Sequence, residues 1–104
     1  MSEFVKVARV GDVKEGAGLC VEAGGQRIGL FRVDGEVYAI DDMCSHADAS
    51  LCDGSVSGDE VVCPLHAATF NIRTGEATGP PAYEPVRTYQ VRIEGEDIEV
   101  QVGD

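Results

Sequence analysis

Apolar residues along the chain fall in short runs separated by turn-forming residues. Over residues 4–10, Val5, Val7 and Ala8 alternate loosely with polar neighbours, and Gly11-Asp12 breaks the run. Residues 18–21 and 27–33 read as strands flanking Gly24-Gly25, a hairpin signal. Asp34-Gly35 turns the chain into a strand over 36–40, a second hairpin. Two further short strands are expected over 60–63 and 69–72. Residues 86–93 place apolar side chains at every second or third position. After Gly95, Ile98, Val100 and Val102 alternate with Glu99 and Gln101, the pattern of a half-buried strand.

No stretch shows a helical period. Many short strands joined by turns predict an all-β protein, an antiparallel sandwich or barrel. Three stretches resist assignment: 41–58, 64–68, and 75–85 with Pro80-Pro81 inside it. Loops this long in a small domain are usually functional. With 104 residues, one domain spanning 1–104 is expected, large enough for one modest core.

Charge narrows the range of partners. Eight basic residues stand against nineteen acidic ones, a net −11. Phosphate binding needs clustered Lys and Arg, so no nucleic-acid partner is expected. An acidic surface instead favours partners with basic patches, although it also serves plain solubility. No apolar run is long enough to span a membrane, and the first ten residues lack the features of a signal peptide. A cytoplasmic location is expected. There, cysteines near histidines more often bind metal than form disulfides.

The chemistry concentrates in two short arms. One is Cys44-Ser45-His46; the other is Cys63-Pro64-Leu65-His66. The chain has only two histidines, and each lies within three residues of a cysteine. Thiolate is a soft anionic donor suited to bridged iron–sulfur cores, and imidazole binds iron without adding charge. Zinc accepts the same donors, so a zinc-bound structural module is the alternative from another class. Zinc fingers usually place two cysteines on one arm and two histidines on the other, whereas here each arm carries one of each. Two loops can thus put both sulfurs on one iron and both nitrogens on another.

C-x-H, sixteen residues, then C-x-x-H resembles the Rieske [2Fe–2S] motif. Residues 44–51 resemble the first cluster loop of Rieske ferredoxins. Cys63-Pro64-Leu65-His66, with Phe70-Asn71 and Thr74-Gly75-Glu76, resembles the second, and Gly79-Pro80-Pro81 resembles the covering proline loop. The resemblance implies a Rieske-type β fold with a cluster-binding loop subdomain over about 41–81. It implies one [2Fe–2S] cluster, with Cys44 and Cys63 on the inner iron and His46 and His66 on the outer, histidine-ligated iron near solvent. Two ferric ions, two sulfides and two thiolates sum to zero, so the oxidised protein would keep its −11 charge. Neutral imidazoles in place of two thiolates ease reduction.

Four family branches separate on residues. Rieske subunits of cytochrome bc-type complexes resemble C-T-H-x-G-C and C-x-C-H-G-S, with a disulfide between the extra cysteines; those positions here are Ala49 and Leu65. Oxygenase catalytic subunits usually carry C-x-H-R-G, where this chain has Ala47-Asp48. Both histidines are already used, leaving none for a 2-His-1-carboxylate iron site. No catalytic residue is therefore expected. The stand-alone ferredoxin of ring-hydroxylating dioxygenases, a component of aromatic hydrocarbon catabolism, fits best. The small Rieske subunit of assimilatory nitrite reductase is the alternative. The resemblance implies electron flow from a flavin-dependent NAD(P)H reductase to a terminal oxygenase through transient electrostatic docking.

Cys20 and Cys52 remain. They could form a disulfide or sense oxidants. The plainer expectation is a small buried apolar residue at Cys20 and an ordinary loop thiol at Cys52. Pro64 is expected to restrict the second arm's turn, Gly54, Gly58 and Gly75 to serve turns, and Tyr83 and Tyr89 to pack.

Overall fold

The computed structural model describes residues 3–43, 50–64, 68–80 and 84–102. Cys44, His46, His66, Pro81 and Tyr83 lie outside them. The described chain forms β1 (Glu3–Arg9), β2 (Gly18–Ala23), β3 (Gln26–Val33), β4 (Glu36–Asp41), β5 (Ser55–Ser57), β6 (Glu60–Val62), β7 (Thr69–Asn71), β8 (Ala77–Gly79), β9 (Thr88–Tyr89), β10 (Val91–Glu94) and β11 (Asp97–Val102). Short 3-10 turns span Val10–Asp12 and Leu51–Asp53. No helix among the described residues is long and apolar enough to cross a membrane.

The strands make three antiparallel sheets, ordered β1-β11-β10, β2-β3-β4-β9 and β5-β6-β7-β8. The expected all-β antiparallel class is what the chain adopts. Among the described residues the sheets stay open, so the barrel form of the expectation gives way to packed layers. The middle sheet is buried on both faces. Ile28, Leu30 and Ala39 pack with Ile98, Val100 and Val102 of β11. Phe31, Val33 and Ile40 point the other way, onto Val61 and Phe70 of the third sheet and Ile72 in the turn after β7. The two-residue strand period sends alternate side chains of β3 into different cores, which explains its nearly continuous apolar run.

Both hairpin signals hold. Gly24 and Gly25 have φ of 58° and 78°, as a two-residue turn with both central residues left-handed requires. Asp34 and Gly35, at 52° and 82°, make the second. The loose alternation of β1 has a cause: its register against β11 shifts between Lys6 and Ala8.

Two expectations need correction. Residues 41–58 and 75–85 are not wholly irregular, because β5 and β8 lie inside them. Each is three residues with one alternation at most, too short to show a period, and each exists because a neighbouring edge accepts it. The apolar spacing noted over residues 86–93 spans two strands. Thr88–Tyr89 pairs with β4, then the chain changes sheets at Gln90, and Val91–Glu94 pairs with β11. That change of sheet accounts for the irregular apolar spacing.

Gly54 fixes how the first long loop returns to the third sheet. A Cβ there would overlap the Val62 carbonyl oxygen, a backbone atom that cannot swing aside. Gly54→Ala should therefore destabilise the fold by about 1–3 kcal/mol, the usual cost of overpacking, read as a lower urea midpoint with an unchanged m-value.

Candidate metal centre

The third sheet positions the proposed ligand loops. Its register aligns Ser55 with Val62, Val62 with Thr69, and Thr69 with Gly79. These four residues form one row across one end of the sheet. The first long loop arrives at Ser55, the second leaves from Val62 and returns at Thr69, and the third leaves from Gly79. All three loops singled out in the sequence are thus rooted along a single edge. The opposite end carries only short turns, 58–59 and 72–76.

Each ligand loop is clasped at its base. Met43 and Ser50 form an antiparallel bridge, and the Leu51 N–H donates to the Asp42 carbonyl at 2.6 Å. The Cys63 N–H donates to the Ala68 carbonyl at 2.7 Å. Leu51, Cys63 and Ala68 belong to the same core as Phe31 and Phe70. Cys63 is 1 % exposed and unbridged. Of the four expected ligands, Cys63 lies within the described residues; Cys44, His46 and His66 lie outside them. A buried thiol at the shared root of the loops, with one more sulfur and two imidazoles in the sequence between those roots, suits a [2Fe–2S] cluster with two sulfur and two nitrogen donors.

Asp42 secures the first loop, which sequence reasoning missed. Its side chain is buried, 1 % exposed. Its carboxylate accepts from the Ser50 hydroxyl at 2.7 and 2.8 Å and from the Cys52 N–H at 3.1 Å, and Arg27 lies 3.2 Å away. Burial alone would push this carboxyl up. Hydrogen bonds from Cys52 and Ser50, with the Arg27 charge, more than offset it and hold the group below its ordinary range. A carboxylate just before the Cys44-Ser45-His46 arm and a hydroxyl just after it were the available signals. Their meeting depends on a hairpin-like return that no local pattern encodes. Tyr89, expected to pack, does so and also donates to Asp41 at 2.5 Å. Burial and then that bond push its hydroxyl up to about 12.

Cys20 departs from the small buried apolar residue expected. It is half-exposed, and an Arg27 N–H donates to its Sγ at 3.3 Å. Cys52 sits in the Leu51–Asp53 turn with its Sγ 3.1 Å from the Ser50 hydroxyl. Burial first, then its bond with Asp42, pushes this thiol up to about 12. The Sγ atoms of Cys20 and Cys52 and an Asp42 carboxylate oxygen lie within 4.8 Å of one another. Arg27 already supplies the cation of this group.

Comparison with known proteins agrees with the geometry. A family model described as the Rieske [2Fe-2S] domain matches residues 3–90. The 3-phenylpropionate/cinnamic acid dioxygenase ferredoxin subunit of Escherichia coli (strain K12) is 49 % identical over 90 residues, covering 86 % of this chain and 84 % of that protein. The biphenyl dioxygenase ferredoxin subunit of Pseudomonas sp. (strain KKS102) is 42 % identical over 96 residues, covering 91 % and 88 %. A chain in a solved complex of reduced oxygenase and oxidized ferredoxin in carbazole 1,9a-dioxygenase superposes with a TM-score of 0.88. It is 31 % identical, with 93 % of this chain and 91 % of that chain covered.

Proposed function

Because the chain belongs to the Rieske [2Fe–2S] domain family, we propose that Cys44, His46, Cys63 and His66 hold one [2Fe–2S] cluster and that the protein carries single electrons from a flavin-dependent NAD(P)H reductase to the terminal oxygenase of an aromatic-ring dioxygenase system. The observation that carries this reading is the common root of the three loops, with Cys63 buried there. When bound, the cluster supplies a one-electron couple.

The chain's own residues do the rest. The Cys44 and Cys63 thiolates contribute the anionic donors, and His46 and His66 the neutral ones. The bases of both ligand loops are fixed by backbone hydrogen bonds, which limits rearrangement between oxidation states. The chain's part is electron delivery, and the chemistry on the organic substrate belongs to the oxygenase. Identity of 42–49 % to dioxygenase ferredoxin subunits favours this role over the nitrite reductase small subunit. The family match favours the cluster over zinc.

Docking should be electrostatic, given the net charge of −11. Mixed anaerobically with NADH and a dioxygenase-system flavoprotein reductase, the protein should be reduced, and a ring-hydroxylating oxygenase should then reoxidise it. Raising salt from about 0.05 to about 0.5 M should slow association measured by stopped flow, because the Debye length shrinks several-fold. A salt-independent rate would mean apolar docking. Turnover with a nitrite reductase large subunit, and with no oxygenase, would transfer the assignment to that branch.

A further inference from the structure

Cys20 and Cys52 have no part in the proposed cluster site, yet the fold brings them together from positions far apart in sequence. The β2 backbone runs directly against the Leu51–Asp53 turn: a Cβ at Gly18 would meet the Cα of Cys52 at 2.8 Å and its Cβ at 3.0 Å. Cys20, two residues further along β2, lies on the same face as Gly18. The two sulfurs are within 4.8 Å and unbridged. Cys20, Val21, Glu22 and Arg27 line an open surface recess of about 430 Å³, so small solutes reach the Cys20 side of the pair. There the Arg27 guanidinium donates to the Cys20 sulfur at 3.3 Å and holds it at the mouth of the recess.

We propose that Cys20 and Cys52 are a redox-active dithiol that hydrogen peroxide converts to a disulfide. The Cys20 sulfur attacks one peroxide oxygen, the O–O bond breaks, and a sulfenic acid and one water result. The Cys52 sulfur then attacks the Cys20 sulfur. The S–O bond breaks, and the departing hydroxide leaves as water with the Cys52 thiol proton. Two thiols give up two electrons in total, and one peroxide becomes two waters. Closing the bond needs the sulfurs to approach to about 2 Å, which rotation about the Cys20 Cα–Cβ bond and a small shift of the 3-10 turn provide. The product joins β2 covalently to the turn that ends the first ligand loop. Cys20, open to the recess and beside Arg27, meets the oxidant; Cys52, the more enclosed thiol, resolves it. This inference is independent of the electron partner proposed above.

The test uses oxidised holoprotein treated with a few equivalents of hydrogen peroxide at neutral pH. Free thiols are then trapped with N-ethylmaleimide in denaturant and the digest is read by fragmentation mass spectrometry without reductant. The expected result is a Cys20–Cys52 crosslink, two hydrogens lighter than the dithiol and reopened by dithiothreitol. The visible spectrum should be unchanged, and the crosslink should be absent in both Cys20→Ser and Cys52→Ser. A parallel titration in a glutathione redox buffer reads the same bond where peroxide bleaches the cluster. Full alkylation of both cysteines under both oxidants would overturn the proposal. So would linkage of Cys20 to Cys44 or Cys63 as readily as to Cys52, since that is scrambling after cluster loss.

Discussion

Replacing His46 or His66 with alanine, or Cys44 or Cys63 with serine, is expected to abolish the red-brown colour and the reduced-state EPR signal completely. The effect should be all-or-none because the proposed ligand set takes both of the chain's histidines and leaves no third to replace either. The remaining cysteines, Cys20 and Cys52, are engaged with Arg27, Asp42 and Ser50. Loss should extend to stability, because cluster binding would tie together the two ligand loops. Cys63→Ser should be the most damaging to the fold. It places a hydroxyl in a fully buried position among Leu51, Ala68 and Phe70, and an unsatisfied buried hydroxyl costs about 1–3 kcal/mol. Iron and acid-labile sulfide content, with circular dichroism to report folding, separates ligand loss from collapse. A Rieske-type spectrum surviving in a folded alanine variant of either histidine would refute the ligand assignment.

A redox titration at pH 7 should give a midpoint near the low end of the Rieske range, roughly −150 mV. Hydrogen bonds to cluster or ligand sulfurs stabilise the reduced, more negative state and raise the potential. High-potential Rieske proteins resemble C-x-C-H-G-S-x-Y, where serine and tyrosine hydroxyls give such bonds. The matching positions here are Ala68 and Phe70, neither able to donate from its side chain. Both are fully buried, so water does not take the missing hydroxyls' place at these two side chains. Phe70 pairs with Val61 and packs in the core shared with Phe31, so Phe70→Tyr would test packing as much as potential. Ala68→Ser is the cleaner variant. One added hydrogen bond of about 1 kcal/mol corresponds to a rise on the order of 40 mV for a one-electron couple. A wild-type midpoint above about +100 mV, in the high part of the range, would overturn both the hydroxyl argument and the ferredoxin assignment.

The sequence by itself determined the chemistry and the local elements. Two Cys–His arms and their spacing carry the resemblance to the Rieske motif, since such a motif is written in residue identities. Gly24-Gly25 and Asp34-Gly35 name two turns, because left-handed backbone favours few residues. The alternation of Ile98, Val100 and Val102 names β11, because burying one face leaves a two-residue period. Tertiary structure alone decided the partnerships. β5 and β8 exist because β6 and β7 offer them edges, and Gln90 breaks a run because two different sheets claim its neighbours. Asp42 meets Arg27, and Cys20 meets Cys52, across separations that leave no local pattern. Most of all, the alignment of Ser55, Val62, Thr69 and Gly79 across one sheet end roots the three loops together. Register is set by which faces pack into the common core, a property of the assembled layers that no single segment carries.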